Sequence, residues 1–153
     1  MSPTYTITRS TEIAAQPAQI HPYLNDFRQW VHWSPWEGVD ADLKREYSGA
    51  DRGVGARYAW TGNRKAGAGS MEITADAAER VDVRLVFSRP MKATNDVVFT
   101  LVSSGAGTRV TWAMTGPHSL FSRVGSALGF FDRLLGKDFE KGLASLKNVV
   151  EAA

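Results

Sequence analysis

The amino-acid sequence predicts an α+β domain in which one curved antiparallel sheet wraps a long C-terminal helix and encloses an apolar pocket. Three observations lead there. Short alternating segments recur between turn-forming residues from Leu43 to Thr115, the pattern of an antiparallel meander. The period then changes: Val124, Leu128, Phe131, Leu135, Phe139, Leu143, Leu146 and Val150 recur at threes and fours, as on one face of a helix. Finally, the apolar residues of each strand share one parity. The sheet therefore has one face to cover, and only the last helix is long enough to cover it.

The elements follow in order. Tyr5 to Ala14 alternates and is rich in Thr and Ile, a strand signal. Pro17 opens a short helix carrying Ile20, Tyr23 and Leu24. Asn25-Asp26 caps a second one, with Phe27, Trp30 and Val31, which Ser34-Pro35 ends. Strands are expected over Leu43 to Tyr47, Gly55 to Thr61, Ala68 to Asp76, Val81 to Ser88, Asn95 to Ser103 and Thr108 to Thr115. The turns between them include Ser48 to Gly53 and Ser104-Gly105-Ala106-Gly107. A straight helix from Ser119 to Val150 would be ~48 Å long at ~1.5 Å per residue. A compact domain of this size is roughly 40 Å across, so a break is expected, at Gly125 or Gly129.

Composition limits the function. The 153 residues suit one domain, read here as a single ligand-binding unit over 1–153. With no cysteine, disulfides, thiolate catalysis and Cys-based metal sites are excluded, which fits a reducing compartment. The start of the chain lacks the apolar core of a signal peptide, and no apolar run reaches the ~18 residues of a membrane span. A cytoplasmic protein is expected. The formal net charge is +2, and basic residues are interleaved with acids, as in Lys44-Arg45-Glu46. That speaks against a nucleic-acid partner.

Alternation assigns the inward face. Tyr58 and Trp60, Met71 and Ile73, Val81 through Phe87, Asn95 through Leu101, and Val110, Trp112 and Met114 each share a parity. Asp82, Arg84, Thr100, Arg109 and Thr111 fall on the other. The inward set is aromatic and almost uncharged, which suits a packed core and an apolar ligand site alike. Gly67, Gly69, Gly136 and Gly142 favour the second reading, because they leave room on sheet and helix.

Several segments resemble a known family: Trp33-Ser34-Pro35-Trp36, Tyr58-Ala59-Trp60, Gly69 to Thr74, Phe87-Ser88-Arg89-Pro90, Gly107 to Trp112, and Gly136 to Leu143. In that order the chain is similar to the SRPBCC superfamily, of the polyketide cyclase/dehydrase and START-related type. The resemblance implies the helix-grip fold, also that of Bet v 1, with a hydrophobic cavity between sheet and helix. Activities in the family range from lipid and sterol binding to polyketide cyclisation, so fold alone does not fix function.

The residues favour binding or carriage of a small hydrophobic molecule, lipid-like or polyketide-like. Candidate contacts are Trp30, Trp33, Trp36, Tyr58, Trp60, Met71, Phe87, Asn95, Phe99, Trp112, Phe131, Leu135 and Phe139. Tyr58 and Asn95 would supply polar handles. Arg9 and Arg45 share the inward parity and could hold a carboxylate head group, although strand-end arginines usually reach solvent. No catalytic residue, metal or cofactor is nominated. His21, His32 and His118 have no metal-site spacing, there is no Gly-x-Ser-x-Gly elbow, and Gly62 to Ser70 is no phosphate loop. The alternatives are a polyketide cyclase/aromatase or dehydratase, which needs an acid or base facing the cavity, and a lipid-transfer or interaction module using the Leu120 to Phe131 segment; the stretch from His118 to Phe131 is expected to gate the pocket or to touch a membrane or partner.

Overall fold

The computed structural model describes residues 4–36, 41–63, 67–89, 92–117 and 127–153, and for 4, 5, 117 and 127–134 the backbone alone. Seven strands form one antiparallel sheet: β1 (Thr4–Ile13), β2 (Lys44–Gly49), β3 (Ala56–Thr61), β4 (Ala68–Ala77), β5 (Arg80–Arg89), β6 (Ala93–Ser104) and β7 (Gly107–Pro117). Their order across the sheet is β1-β7-β6-β5-β4-β3-β2. The first strand thus joins the last, and the meander runs outward to β2. Between β1 and β2 lie helix α1 (Pro17–Leu24) and a 3-10 helix (Phe27–His32); helix α2 (Ala127–Ala152) closes the chain.

Local chemistry explains the short elements. Pro17 occupies the first helical turn, where a missing N–H costs nothing, and Gln16 and Gln19 satisfy the orphan amides there reciprocally. Asp26 caps the 3-10 helix by accepting from the Arg28 amide at 3.0 Å. Gly105 turns the β6–β7 hairpin at φ 61°, a region other residues avoid.

The expected parities are the ones buried. Ile73, Val81, Val83, Val97, Phe99, Leu101, Val110 and Trp112 are all buried on the concave face, and Phe139, Leu143, Leu146 and Val150 of α2 join them in one core. The expected break at Gly129 does not occur, since α2 runs unbroken from Ala127; Gly125 lies outside the described residues. Strand β2 reaches Gly49, beyond the expected end at Tyr47.

One register change escaped the alternation rule. A bulge between Ile73 and Ala75 shifts β4, so that Asp76 pairs with Val81. The extra residue turns Asp76 onto the concave face, although strict alternation from Met71 and Ile73 places it outside.

The glycines on sheet and helix do not leave empty space. The Trp60 ring lies over Gly69, the Arg9 guanidinium lies against Gly136, and Pro35 and Trp112 close on Gly142. Gly67 is needed for its backbone, at φ 65°. Two glycines on one helix should therefore respond oppositely to alanine. At Gly142 a Cβ would sit 2.9 Å from Pro35 Cδ and 3.0 Å from Trp112 Cζ3, both rigid. At Gly136 it meets only the end of a flexible arginine. Relief of the helical glycine is worth about 1 kcal/mol and overpacking costs about 1–3 kcal/mol. Gly136→Ala is expected to raise the melting temperature slightly and Gly142→Ala to lower it, by calorimetry.

Helix α2 is tied to the open edge of β1. Glu151 Oε2 accepts from the Ala14 amide at 2.8 Å and from Lys147 Nζ at 2.7 Å, while Lys147 also donates to the Glu12 carbonyl at 2.8 Å. These side chains satisfy backbone groups that an edge strand leaves unpaired. The Ala14 amide first, and Lys147 after it, hold the Glu151 carboxyl below its ordinary 4.5. A carboxyl depressed on folding supports the fold above its unfolded-state value and loses that support as pH falls through the folded value. Glu151→Gln is thus expected to melt lower than wild type at neutral pH and to converge with it in acid, in unfolding curves from about pH 7 to about pH 3.

Candidate functional site

The concave face divides the sequence candidates into two groups. Trp30, Trp33, Phe99, Trp112 and Phe139 belong to a packed cluster. Trp30 and Trp33 have centroids 4.7 Å apart, Phe99 and Trp112 5.2 Å, and Trp112 stacks on Phe139 at 4.1 Å and 6°. Trp33, Phe99 and Phe139 expose 1% or less of their surface, so they already find their partners within the chain. The indole N–H of Trp30 donates to the Leu24 carbonyl at 3.0 Å and that of Trp33 to the Tyr23 carbonyl at 2.8 Å. These bonds tie the 3-10 helix and the residue after it to the end of α1 and fix both rings. Asn95 is buried on the same face, at 1% exposure.

The second group keeps accessible surface. Tyr58, Trp60, Met71, Phe87 and Leu135 are half-buried and pack against the core from its margin. Strand register explains why they meet. Trp60 pairs with Gly69 and Gly69 with Phe87, while Tyr58 pairs with Met71 and Met71 with Leu85. Directly opposed residues share a face. The rings then form a ladder: Tyr58 to Trp60 at 6.2 Å and 18°, and Trp60 to Phe87 at 5.9 Å and 90°. Gly69 makes this possible, because any side chain there would displace Trp60.

Sequence reasoning missed Tyr47. It shares the parity of Arg45, meets Tyr58 at 5.2 Å with the rings tilted by 50°, and carries the Arg28 guanidinium 4.8 Å from its ring centre. Strand β2 is otherwise so exposed that no apolar alternation marks it. Trp36 stands apart: it is 40% exposed and meets Trp112 and Phe139 edge-on. His118, the Phe131 side chain and residues 118–126 of the expected gate lie outside the described residues; 127–131 are the first residues of α2.

The two inward arginines differ. Arg9 lies beneath α2, donates to the Thr8 carbonyl at 2.8 Å, and stands 3.6 Å from Glu140. Arg45 pairs with Trp60 at the start of β2 and is exposed. At the opposite end of the sheet, the inward-turned Asp76 binds His21 Nε2 at 2.6 Å and accepts from Asn25 Nδ2 at 3.1 Å. Those three join α1, β4 and the loop before the 3-10 helix. Among the described residues, no three His, Asp or Glu side chains are placed to hold a metal, and no helix is long and apolar enough to cross a membrane.

This architecture is a family trait. The family described as polyketide cyclase / dehydrase and lipid transport matches residues 4–151, and the chain belongs to it. No curated protein matches the chain. Solved structures similar to it include Ara h 8.0201, at 12% identity and TM-score 0.66, over 99% of this chain and 100% of that one. The Aha1 dimer from Colwellia psychrerythraea is similar at 18% identity and TM-score 0.67, over 96% of each chain. DynU16, from the dynemicin biosynthetic locus, is similar at 16% identity and TM-score 0.65, over 95% of this chain and 47% of that one. At these identities the likeness shows the fold alone: a Bet v 1-like, helix-grip sheet with its C-terminal helix.

Proposed function

We propose that this protein binds and carries a small hydrophobic molecule on the ladder formed by Tyr47, Tyr58, Trp60 and Phe87, with Met71 and Leu135 beside it. The observation that supports this most is the contrast across one face. A few residues from a tightly packed aromatic core, six apolar side chains, four of them aromatic, keep surface accessible on the side of the sheet that faces the helix. Contact there gains about 25 cal/mol per Å² of apolar surface removed from water, less the cost of association. The family's general binding of small hydrophobic ligands agrees with it, and on this reading residues 1–153 form one binding unit in a cytoplasmic setting.

The test is titration with the neutral fluorophore N-phenyl-1-naphthylamine. A saturable rise in emission is expected for wild type. Trp60→Ala removes the middle ring and is expected to weaken binding about tenfold, the worth of one lost aromatic contact of ~1.4 kcal/mol. Unchanged affinity in that variant, at unchanged fold by circular dichroism, would move the site elsewhere.

A further inference from the structure

At one end of the sheet the described cations outnumber the described acids. Antiparallel pairing brings the start of β2, the end of β5 and the start of β6 to one end of the sheet. The described charges there are Lys44, Arg45, Arg89 and Lys92, against one carboxylate, Asp42. Arg89 reaches from β5 to the Gly62 carbonyl at the end of β3, at 3.4 Å, and so spans the end of the ladder. Arg45 stands in register with Trp60. Arg28 adds a fifth cation above Tyr47. Of these, Arg45 shares the concave parity of Trp60, whereas Lys44 and Glu46 share the convex one, as does Glu72, which lies 3.4 Å from Arg57.

We propose that the ligand is an anionic amphiphile, its apolar body on Tyr58, Trp60 and Phe87 and its carboxylate, sulfonate or phosphate head among Arg45, Arg89 and Arg28. This rests on the binding site proposed above and adds the sign of the ligand's charge. The physical reason is complementarity. Exposed arginines at the margin of an apolar surface keep their charge at little cost, concentrate positive potential there, and draw in a molecule of opposite sign. A guanidinium also matches the two oxygens of a carboxylate in its fork. The head group stays in water while the body leaves it, so no ion need be buried.

The experiment compares two probes with the same body. N-phenyl-1-naphthylamine is neutral, and 8-anilinonaphthalene-1-sulfonate adds one sulfonate. Both are titrated into the full-length wild type at about 20 mM and about 500 mM sodium chloride, and into Arg45→Gln/Arg89→Gln at low salt. Salt is expected to weaken the sulfonate about threefold or more and the neutral probe not at all; the double variant is expected to weaken the sulfonate about fivefold relative to the neutral probe. Equal responses of the two probes would overturn the charge assignment and leave the apolar site standing. Failure of both probes to bind wild type would instead remove the site, and the assignment with it. The salt series needs no substitution, so a variant that unfolds does not spoil the test.

Discussion

Phe99→Ala is expected to be the most damaging single truncation on the concave face. Phe99 is completely buried, in the middle of β6, and its ring meets Trp30 at 5.7 Å, Trp33 at 5.8 Å and Trp112 at 5.2 Å. Those tryptophans cannot close the gap, because the indoles of Trp30 and Trp33 are fixed by hydrogen bonds to Leu24 and Tyr23. A cavity that cannot collapse puts the cost at about 3–5 kcal/mol. In a chain of this size that is a fall of roughly 10 °C or more in melting temperature. Phe99→Leu, which keeps most of the volume, should lose much less. Calorimetry of the two variants checks both figures. A fall of only a few degrees for alanine would mean that the cluster is loosely packed.

The second large effect is expected at Asp76. The carboxylate side chain is 17% exposed and accepts from both His21 and Asn25. Asn25 is itself buried, and its Oδ1 has no partner among the described residues. Asp76→Ala removes both bonds and leaves the Asn25 amide wholly unsatisfied where water does not reach. Leaving buried polar groups without partners costs about 1–3 kcal/mol each, and the paired imidazole adds to it, so about 2–3 kcal/mol is expected in all. Asp76→Asn keeps one acceptor and should lose less. Hydrogen exchange would separate this local tie from the core, with protection falling first in α1 and in the turn where Gly53 donates to the Asn25 carbonyl at 2.8 Å.

How far the sequence alone reached follows from where each rule holds. Alternation read the inward faces of β5, β6 and β7, because those central strands are buried on one side and pair in register without interruption. It failed at Asp76, where a bulge inserts one residue and reverses the parity, and nothing in Ile73-Thr74-Ala75-Asp76 announces a bulge. Period located α2, but length arguments added a break at Gly129 that the helix does not have. The glycines were visible, yet what fills the space above them comes from distant positions: Trp60, Arg9, and the pair Pro35 and Trp112. Likewise the separation of packed from accessible aromatics was not legible. Trp33 and Trp36 are three residues apart, and one is 1% exposed and the other 40%; only the tertiary neighbours of each ring decide that. Charge was hard to read for the same reason: in Lys44-Arg45-Glu46 alternation sends Arg45 alone to the face of Trp60 and leaves Lys44 and Glu46 together on the other.

The most direct measurement follows the methionine methyl groups by carbon-13 NMR during titration with N-phenyl-1-naphthylamine. Met71 sits beside Tyr58 with part of its surface accessible, and Met114 is 5% exposed on the far side of the same face, in β7. A saturable shift of the Met71 methyl with Met114 nearly still is the expected result. A bound probe that moves Met114 while Met71 stays in place would contradict the placement of the site.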